Sequence, residues 1–323
     1  MRKIKIGVIG AGYLGKFHAQ KYAAMTDVEL IGVADVFPEI AHQVAQANKT
    51  KAFIDYRELL HQVDAVSVVV PTPLHHKVAS DCFAAKVDVL LEKPMTVTLT
   101  EADDLIGKAA KGGHILQIGH LERFNPAIVA MQDYLTCPLY IESQRVHSFK
   151  PRGSEVDVVL DLMIHDIDII LHVVPSPLKS IDTIGVPVVT KETDVATAHL
   201  IFENGCTANV SVSRVALDNV RSLRVYQPGS SLVVNYATKE IMVIERLPQL
   251  TPEGYHEEKT IHFCFTEKDA LAAELTDFVE NVRLRRTPRV SGREGREALE
   301  VALRIIDQIR NHIDRHKDVL CRG

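Results

Sequence analysis

The chain has 323 residues, 46% of them hydrophobic and 24% charged, as in an ordinary globular protein of about two domains. Its net charge of −5 and pI of about 6.3 exclude a global basic field for nucleic acid, so an anionic ligand has to meet local cations. Five scattered cysteines without a Cys-x-x-Cys argue against a zinc knuckle or a disulfide framework and fit a reducing compartment.

Met1-Arg2-Lys3 and the apolar residues after it imitate a signal peptide. Lys5 interrupts the run, Lys16-Phe17-His18 follows the glycines, and no Ala-x-Ala cleavage pattern is present. Lys3–Ile9 therefore reads as a first strand. With no window near the ~18 uncharged apolar residues of a membrane span, the expected location is the cytoplasm.

Gly10-Ala11-Gly12-Tyr13-Leu14-Gly15 comes next and opens a helical run from Lys16 to Met25. A second strand, Val28–Ala34, stops at Asp35, 20 residues after Gly15. A GxGxxG between strand and helix, with an acid at that distance, is a dinucleotide-binding fingerprint. Gly10 permits the tight turn, Gly12 lets backbone approach a pyrophosphate, and Gly15 lets helix and strand pack closely. The N–H groups that open the helix meet the phosphate charge. Asp35 can accept hydrogen bonds from both adenosine-ribose hydroxyls and would repel a 2′-phosphate, and Val36-Phe37 offers no cation. The expected cofactor is NAD rather than NADP.

Strands and helices go on alternating. Ala65–Val70, Val87–Leu91 and Ile115–Ile118 read as strands, and Pro38–Ala47, His76–Ala85 and Thr100–Ala110 as helices, the last with a start signal at Thr98-Leu99-Thr100-Glu101. Near-continuous Val/Ile/Leu strands between helices predict a doubly wound parallel sheet, a Rossmann domain over residues 1–121. Ligands of such sheets bind beyond the carboxyl ends of the strands. Two segments leave strands there, Val70-Pro71-Thr72-Pro73-Leu74-His75-His76 and Leu91-Glu92-Lys93-Pro94. The expected cofactor-binding set is therefore Gly10, Gly12, Tyr13, Leu14, Gly15, Asp35, Pro71, Thr72, His75, Glu92 and Lys93, with Thr72 and His75 facing the cofactor. Lys93 can hydrogen-bond a substrate hydroxyl and join proton transfer, and Pro94, extended before it or cis, directs that side chain.

After residue 122 the pattern changes. Leu139–His147, Lys179–Thr190, Ala196–Phe202, Cys206–Ala216, Ser222–Gln227, Ser231–Tyr236 and Glu240–Glu245 read as strands separated by turns. They predict an α+β domain over 122–323 with one large, mostly antiparallel sheet. Its breadth offers a face for a homodimer or homotetramer. Asp269–Arg283 and Glu294–His316 read as amphipathic helices, the latter able to pack back on the first domain, with Arg285-Arg286 and Arg293 as a solvated face.

Within this domain Leu160–Val173 is a strongly apolar helix. Asp161 and His165, four apart, share a face that Asp168 and His172 continue, and the stripe is either solvated or the wall of a cleft. There His165 is the natural general base and Asp161 its orienting group or a substrate contact. Asp161, His165 and Asp168 have carboxylate–histidine spacing and nothing more to suggest a metal, and none is expected. Arg123, Lys150 and Arg152 are candidate contacts for an anionic substrate.

The glycine fingerprint, Asp35, Pro71-Thr72 with His75, Glu92-Lys93-Pro94 and Asp161 with His165, in that order, resemble the glucose–fructose oxidoreductase / inositol dehydrogenase (Gfo/Idh/MocA) family. The resemblance implies NAD(P)-dependent oxidation or reduction at a sugar or cyclitol carbon. It puts the catalytic lysine on Lys93 and the family's Asp and His on Asp161 and His165. Met163 departs from the glycine that many members carry there. The runs Leu14–Tyr22, Gly119–Pro126 and Val158–Asp166 are similar to a narrower subgroup that oxidises UDP-N-acetylglucosamine at C3 and feeds an aminotransferase before lipid A assembly. The partner expected is a small sugar or nucleotide sugar, with neither nucleic acid nor membrane. A free-sugar or inositol dehydrogenase is the alternative enzyme, and a catalytically silent NAD-sensing regulator the alternative of another class.

Overall fold

The computed structural model describes residues 2–151 and 153–320, and the chain divides into two compact units. One runs to Leu121 and takes in Asp269–Leu299; the other is Glu122–Lys268 with the chain from Glu300 onward.

The first unit alternates β1 (Ile4–Ile9), α1 (Gly15–Ala24), β2 (Val28–Ala34), α2 (Pro38–Ala47), β3 (Lys51–Phe53), α3 (Tyr56–Leu60), β4 (Ala65–Val68), α4 (His75–Ala84), β5 (Asp88–Glu92), α5 (Leu99–Gly112) and β6 (Leu116–Gly119). All strand pairs are parallel, in the order β3-β2-β1-β4-β5-β6. This is the doubly wound order in which a ligand lies at the carboxyl edge where the winding reverses. The continuous apolar runs follow from it, since β4 and β6 are buried at every residue. Thr98 starts α5 with a reciprocal capping box to Glu101, and Gly113, at φ +66°, ends it.

The second unit holds α6 (Pro126–Met131), β7 (Tyr140–Val146), a π-helical turn (Val159–Met163) leading into α7 (Ile164–Val173), and then β8 (Leu178–Val186), β9 (Val195–Phe202), β10 (Thr207–Ser213), β11 (Val220–Gln227), β12 (Ser230–Asn235), β13 (Glu240–Leu250) and β14 (His256–Cys264). The sheet order is β14-β13-β12-β11-β7-β10-β9-β8, antiparallel except for β7 beside β10. Strict alternation decides which face is covered: in β10, Ala208, Val210 and Val212 are buried and the residues between them are not. α7 packs on β10, and α6 on β12 and β13.

β14 escapes the sequence reading because its first half, His256-Glu257-Glu258-Lys259, is charged and wholly exposed on a sheet edge. Charge is the usual protection of such an edge.

Two last helices follow, α8 (Ala270–Leu284) and α9 (Gly292–Leu320). The sequence reading carries the second domain to the C-terminus, whereas α8 belongs to the first unit. The reason is packing: Leu275, Phe278, Val279 and Val282 join Ile6, Val8, Tyr22 and Leu90 in one buried cluster.

Candidate active site

In the first unit, the turn after β1 depends on glycine. Gly10 has φ +92°, and a side chain there would begin 2.5 Å from Val69 O. A Cβ on Gly15 would lie 1.8 Å from Gly10 O, so α1 closes on this turn only without one. At Gly12 the same atom would meet nothing within 4 Å, which leaves that face of the backbone open to a ligand. No acid stands in the first turn of α1 to compete for its positive end. Asp35 lies across the loop. Its Oδ2 accepts from Ala11 N at 2.8 Å and its Oδ1 from Phe37 N at 3.0 Å, and each oxygen keeps a second lone pair for a ribose hydroxyl. Tyr13, Leu14, Val36, Phe37 and Leu74 expose apolar side chains in the segments that follow β1, β2 and β4. An open glycine backbone, an acid and a ring-sized apolar surface fit a dinucleotide.

The next strand ends are arranged differently from expectation. Pro71 is exposed and Thr72 half-buried in a short 3₁₀ turn. His75, expected to face the cofactor, is buried. Its ring nitrogens lie 2.8 Å from Val70 O and 3.0 Å from Pro94 O, so it ties the Pro71 turn to the Lys93-Pro94 turn. Burial pushes the imidazole below its ordinary pKa, although the backbone carbonyls counter this in part. Glu92 is turned inward as well. Its Oε1 lies 3.1 Å from Nε2 of the buried His18, and a Cβ on Gly119 would come within 3.1 Å of its Oε2. Lys93 is half-buried, and its peptide bond to Pro94 is cis.

In the second unit the charged residues of α7 separate into two groups. Asp166 is fully buried and takes a two-pronged contact from Arg145, Nε to Oδ2 at 2.9 Å and Nη2 to Oδ1 at 3.1 Å. Arg145, itself buried, also donates to Glu122 Oε1 at 2.9 Å. Asp168 is buried against Arg123, with Nη1 3.3 Å from Oδ1. Two expectations are corrected here. Asp168 does not continue an accessible stripe, because the buried Arg123 guanidinium holds its carboxylate inside. Arg123 meets that carboxylate, where a contact to an anionic substrate was expected. His172 is exposed and pairs with Gln132 at 2.7 Å. Asp161, in the π-helical turn, and His165, in the first turn of α7, are both half-buried. Lys150 is exposed, and Arg152 lies outside the described residues. Among the described residues no cluster of three or more His, Cys, Asp or Glu could hold a metal ion.

Comparison with known proteins agrees with this geometry. The profile of the GFO/IDH/MocA oxidoreductase family, NAD-binding Rossmann fold, matches residues 4–120, and the family's C-terminal-domain profile matches residues 138–231. The chain belongs to this family. It is an oxidoreductase, and its cofactor is NAD, held by the first unit. UDP-N-acetylglucosamine 3-dehydrogenase of Acidithiobacillus ferrooxidans is 38% identical over 94% of this chain and 97% of its own length. A solved structure of that enzyme superposes with a TM-score of 0.88, covering 96% of this chain and 99% of the other. Myo-inositol 2-dehydrogenase of Thermotoga maritima is 26% identical, covering 92% of this chain and 93% of its own.

Sequence reasoning missed Gly153, which follows the candidate cations Lys150 and Arg152. A Cβ there would stand 3.5 Å from Asp161 Oδ2. The available signal was the Pro-x-Gly turn at Pro151.

Proposed function

We propose that the protein oxidises the C3 hydroxyl of UDP-N-acetylglucosamine to a 3-keto sugar nucleotide, using NAD in preference to NADP. The observation that carries the substrate is the 38% identity to the Acidithiobacillus enzyme across nearly the full length of both chains. Bound NAD supplies a hydride acceptor at nicotinamide C4. His165 takes the proton of the reacting hydroxyl, and Asp161 orients His165 or the sugar. The Lys93 ammonium donates to the same oxygen and steadies the charge that develops on it. Lys150 and Arg152 meet the diphosphate through charge-assisted hydrogen bonds, while Arg123 is committed to Asp168 and takes no part. A 3-ketone suits an aminotransferase, the step that leads toward lipid A-type precursors. The reading carries a cytoplasmic homodimer or homotetramer, and no helix among the described residues is long and apolar enough to cross a membrane.

The test follows NAD reduction at the nicotinamide absorbance band with UDP-N-acetylglucosamine, other UDP-sugars, myo-inositol and glucose, with and without a carbonyl trap. UDP-N-acetylglucosamine is expected to turn over, most visibly with the trap. Rapid reduction with inositol or glucose and none with the nucleotide sugar would replace the reading with a free-sugar dehydrogenase. Lys93→Met and His165→Ala are expected to lower kcat by about 10²–10⁴-fold and to weaken NADH binding far less. Near-normal turnover in both folded variants would remove these residues from the chemistry.

A further inference from the structure

The segment that leads into Asp161 hangs on one buried cation. Arg214, just past β10, is 2% exposed. Its Nη1 donates to Gly153 O at 3.0 Å, and its Nη2 donates to Thr193 O at 3.0 Å and to Val156 O. Its Nε lies 3.4 Å from Oδ1 of Asp194, which is fully buried.

Asp194 is fixed in turn. Its Oδ2 accepts from the backbone N–H of Val188, Val189 and Thr190 at 2.7–2.8 Å, and its Oδ1 accepts from the Thr190 hydroxyl at 2.8 Å. Burial alone would raise this carboxyl, but those donors outweigh it and hold the pKa at about 2. Asp157 completes the frame. Its Oδ2 accepts from Thr193 Oγ1 at 2.8 Å and its Oδ1 from Val159 N at 2.9 Å, at the start of the π-helical turn.

Three of the guanidinium's contacts are to backbone carbonyls, which carry no neutralising charge. A planar fork of donors can span them, whereas a lysine has a single nitrogen. The outcome is a fixed backbone at Gly153, with φ +79° and close enough to Asp161 that a side chain would touch its carboxylate.

We propose that Arg214, braced by Asp194, is a positioning residue for the sugar: it holds Gly153–Asp157 against Asp161 and so shapes the wall on which the substrate rests. The proposal builds on the reading of Asp161 as a substrate-site residue. Arg214 touches neither substrate nor cofactor and acts through the segment it holds.

The experiment compares Arg214→Gln, Arg214→Lys and Gly153→Ala in the full chain, with circular dichroism melts to establish folding. Gly153→Ala leaves the buried frame intact and is expected to raise KM for UDP-N-acetylglucosamine by about tenfold, the size of a left-handed backbone penalty. Its kcat is expected to change by less than about threefold, with KM for NAD unaltered. Arg214→Gln is expected to raise the same KM and to speed hydrogen exchange at the amides of 154–157, with Arg214→Lys intermediate in both. Faster exchange with an unchanged sugar KM overturns the proposal, and so does unchanged exchange in a folded Arg214→Gln. Asp161→Asn separates the two levels. If it too leaves the sugar KM unchanged, the substrate reading of Asp161 fails and the proposal falls with it; if it raises KM while the Arg214 and Gly153 variants do not, only the anchor fails.

Discussion

The Asp35 carboxylate holds Ala11 N and Phe37 N together, so it shapes the glycine loop besides offering lone pairs to a ribose. Asp35→Ser is expected to cost about 1.5–3 kcal/mol of NAD binding, the range for a hydrogen bond to a charged group. Titration of NADH and NADPH by their fluorescence checks this, and equal affinities in the wild type would contradict the role given to Asp35. Glu274 on α8 makes a second case at this scale. It is fully buried, and among the described residues neither of its carboxylate oxygens has a hydrogen-bond partner. Burial first, and then the charges of Glu92 and Asp277, push its pKa well above the usual carboxylate range. The folded protein therefore keeps a proton that the unfolded chain releases above about pH 4.3, so this group's contribution to stability is full below that pH and is lost as pH rises through the folded pKa. Glu274→Met, of similar volume, is expected to stabilise the protein, and by more at about pH 8 than at about pH 5. Urea midpoints at the two values would show it, and an equal gain at both would argue that Glu274 stays ionised.

At the scale of the element, α7 shows how a charge pattern divides once its neighbours are known. Its mean composition is apolar because most of it lies against the sheet, yet two of its acids are inside as well. Arg145 on β7 and Arg123 just before α6 receive them. Removing one partner of a buried pair leaves an uncompensated charge, so Asp166→Ala is expected to cost about 3–5 kcal/mol. His172→Ala, on the exposed side, should stay within about 0.5 kcal/mol. Denaturant unfolding of both variants makes the comparison, and similar small losses would mean that the Arg145 pair is solvated. The period of 3.6 residues was readable in the sequence, and it put Asp161 and His165 together. The arginines that draw Asp166 and Asp168 inward come from distant positions, and no spacing within the helix announces them.

At the scale of the whole molecule, the first unit is closed by a helix that follows the second unit's sheet in sequence. Phe278 of α8 is completely buried among residues of β1, β5 and α1. Phe278→Ala is expected to destabilise the NAD-binding unit by about 3–5 kcal/mol, although the residue lies far along the chain from the glycine loop. A thermal melt followed by loss of bound NADH would register it, and an unshifted transition would argue against α8 as part of that core.

The sequence by itself determined the parallel sheet, the glycine loop with Asp35, the strand-rich second unit, and Lys93, Asp161 and His165 as the residues to consider. Each is written in local order: a period of 2 or 3.6, a glycine that a turn requires, or a charge at a strand end. Tertiary structure alone decided which polar side chains are consumed in holding the fold. His75 and Glu92 face inward, Arg123 is spent on Asp168, and Arg214 ties Gly153 to Asp194. The physical reason is that a buried charge or donor must find its partner in space. Apart from Val70, which meets His75 from 5 residues away, these partners lie between 19 and 74 residues away, where local pattern carries no information.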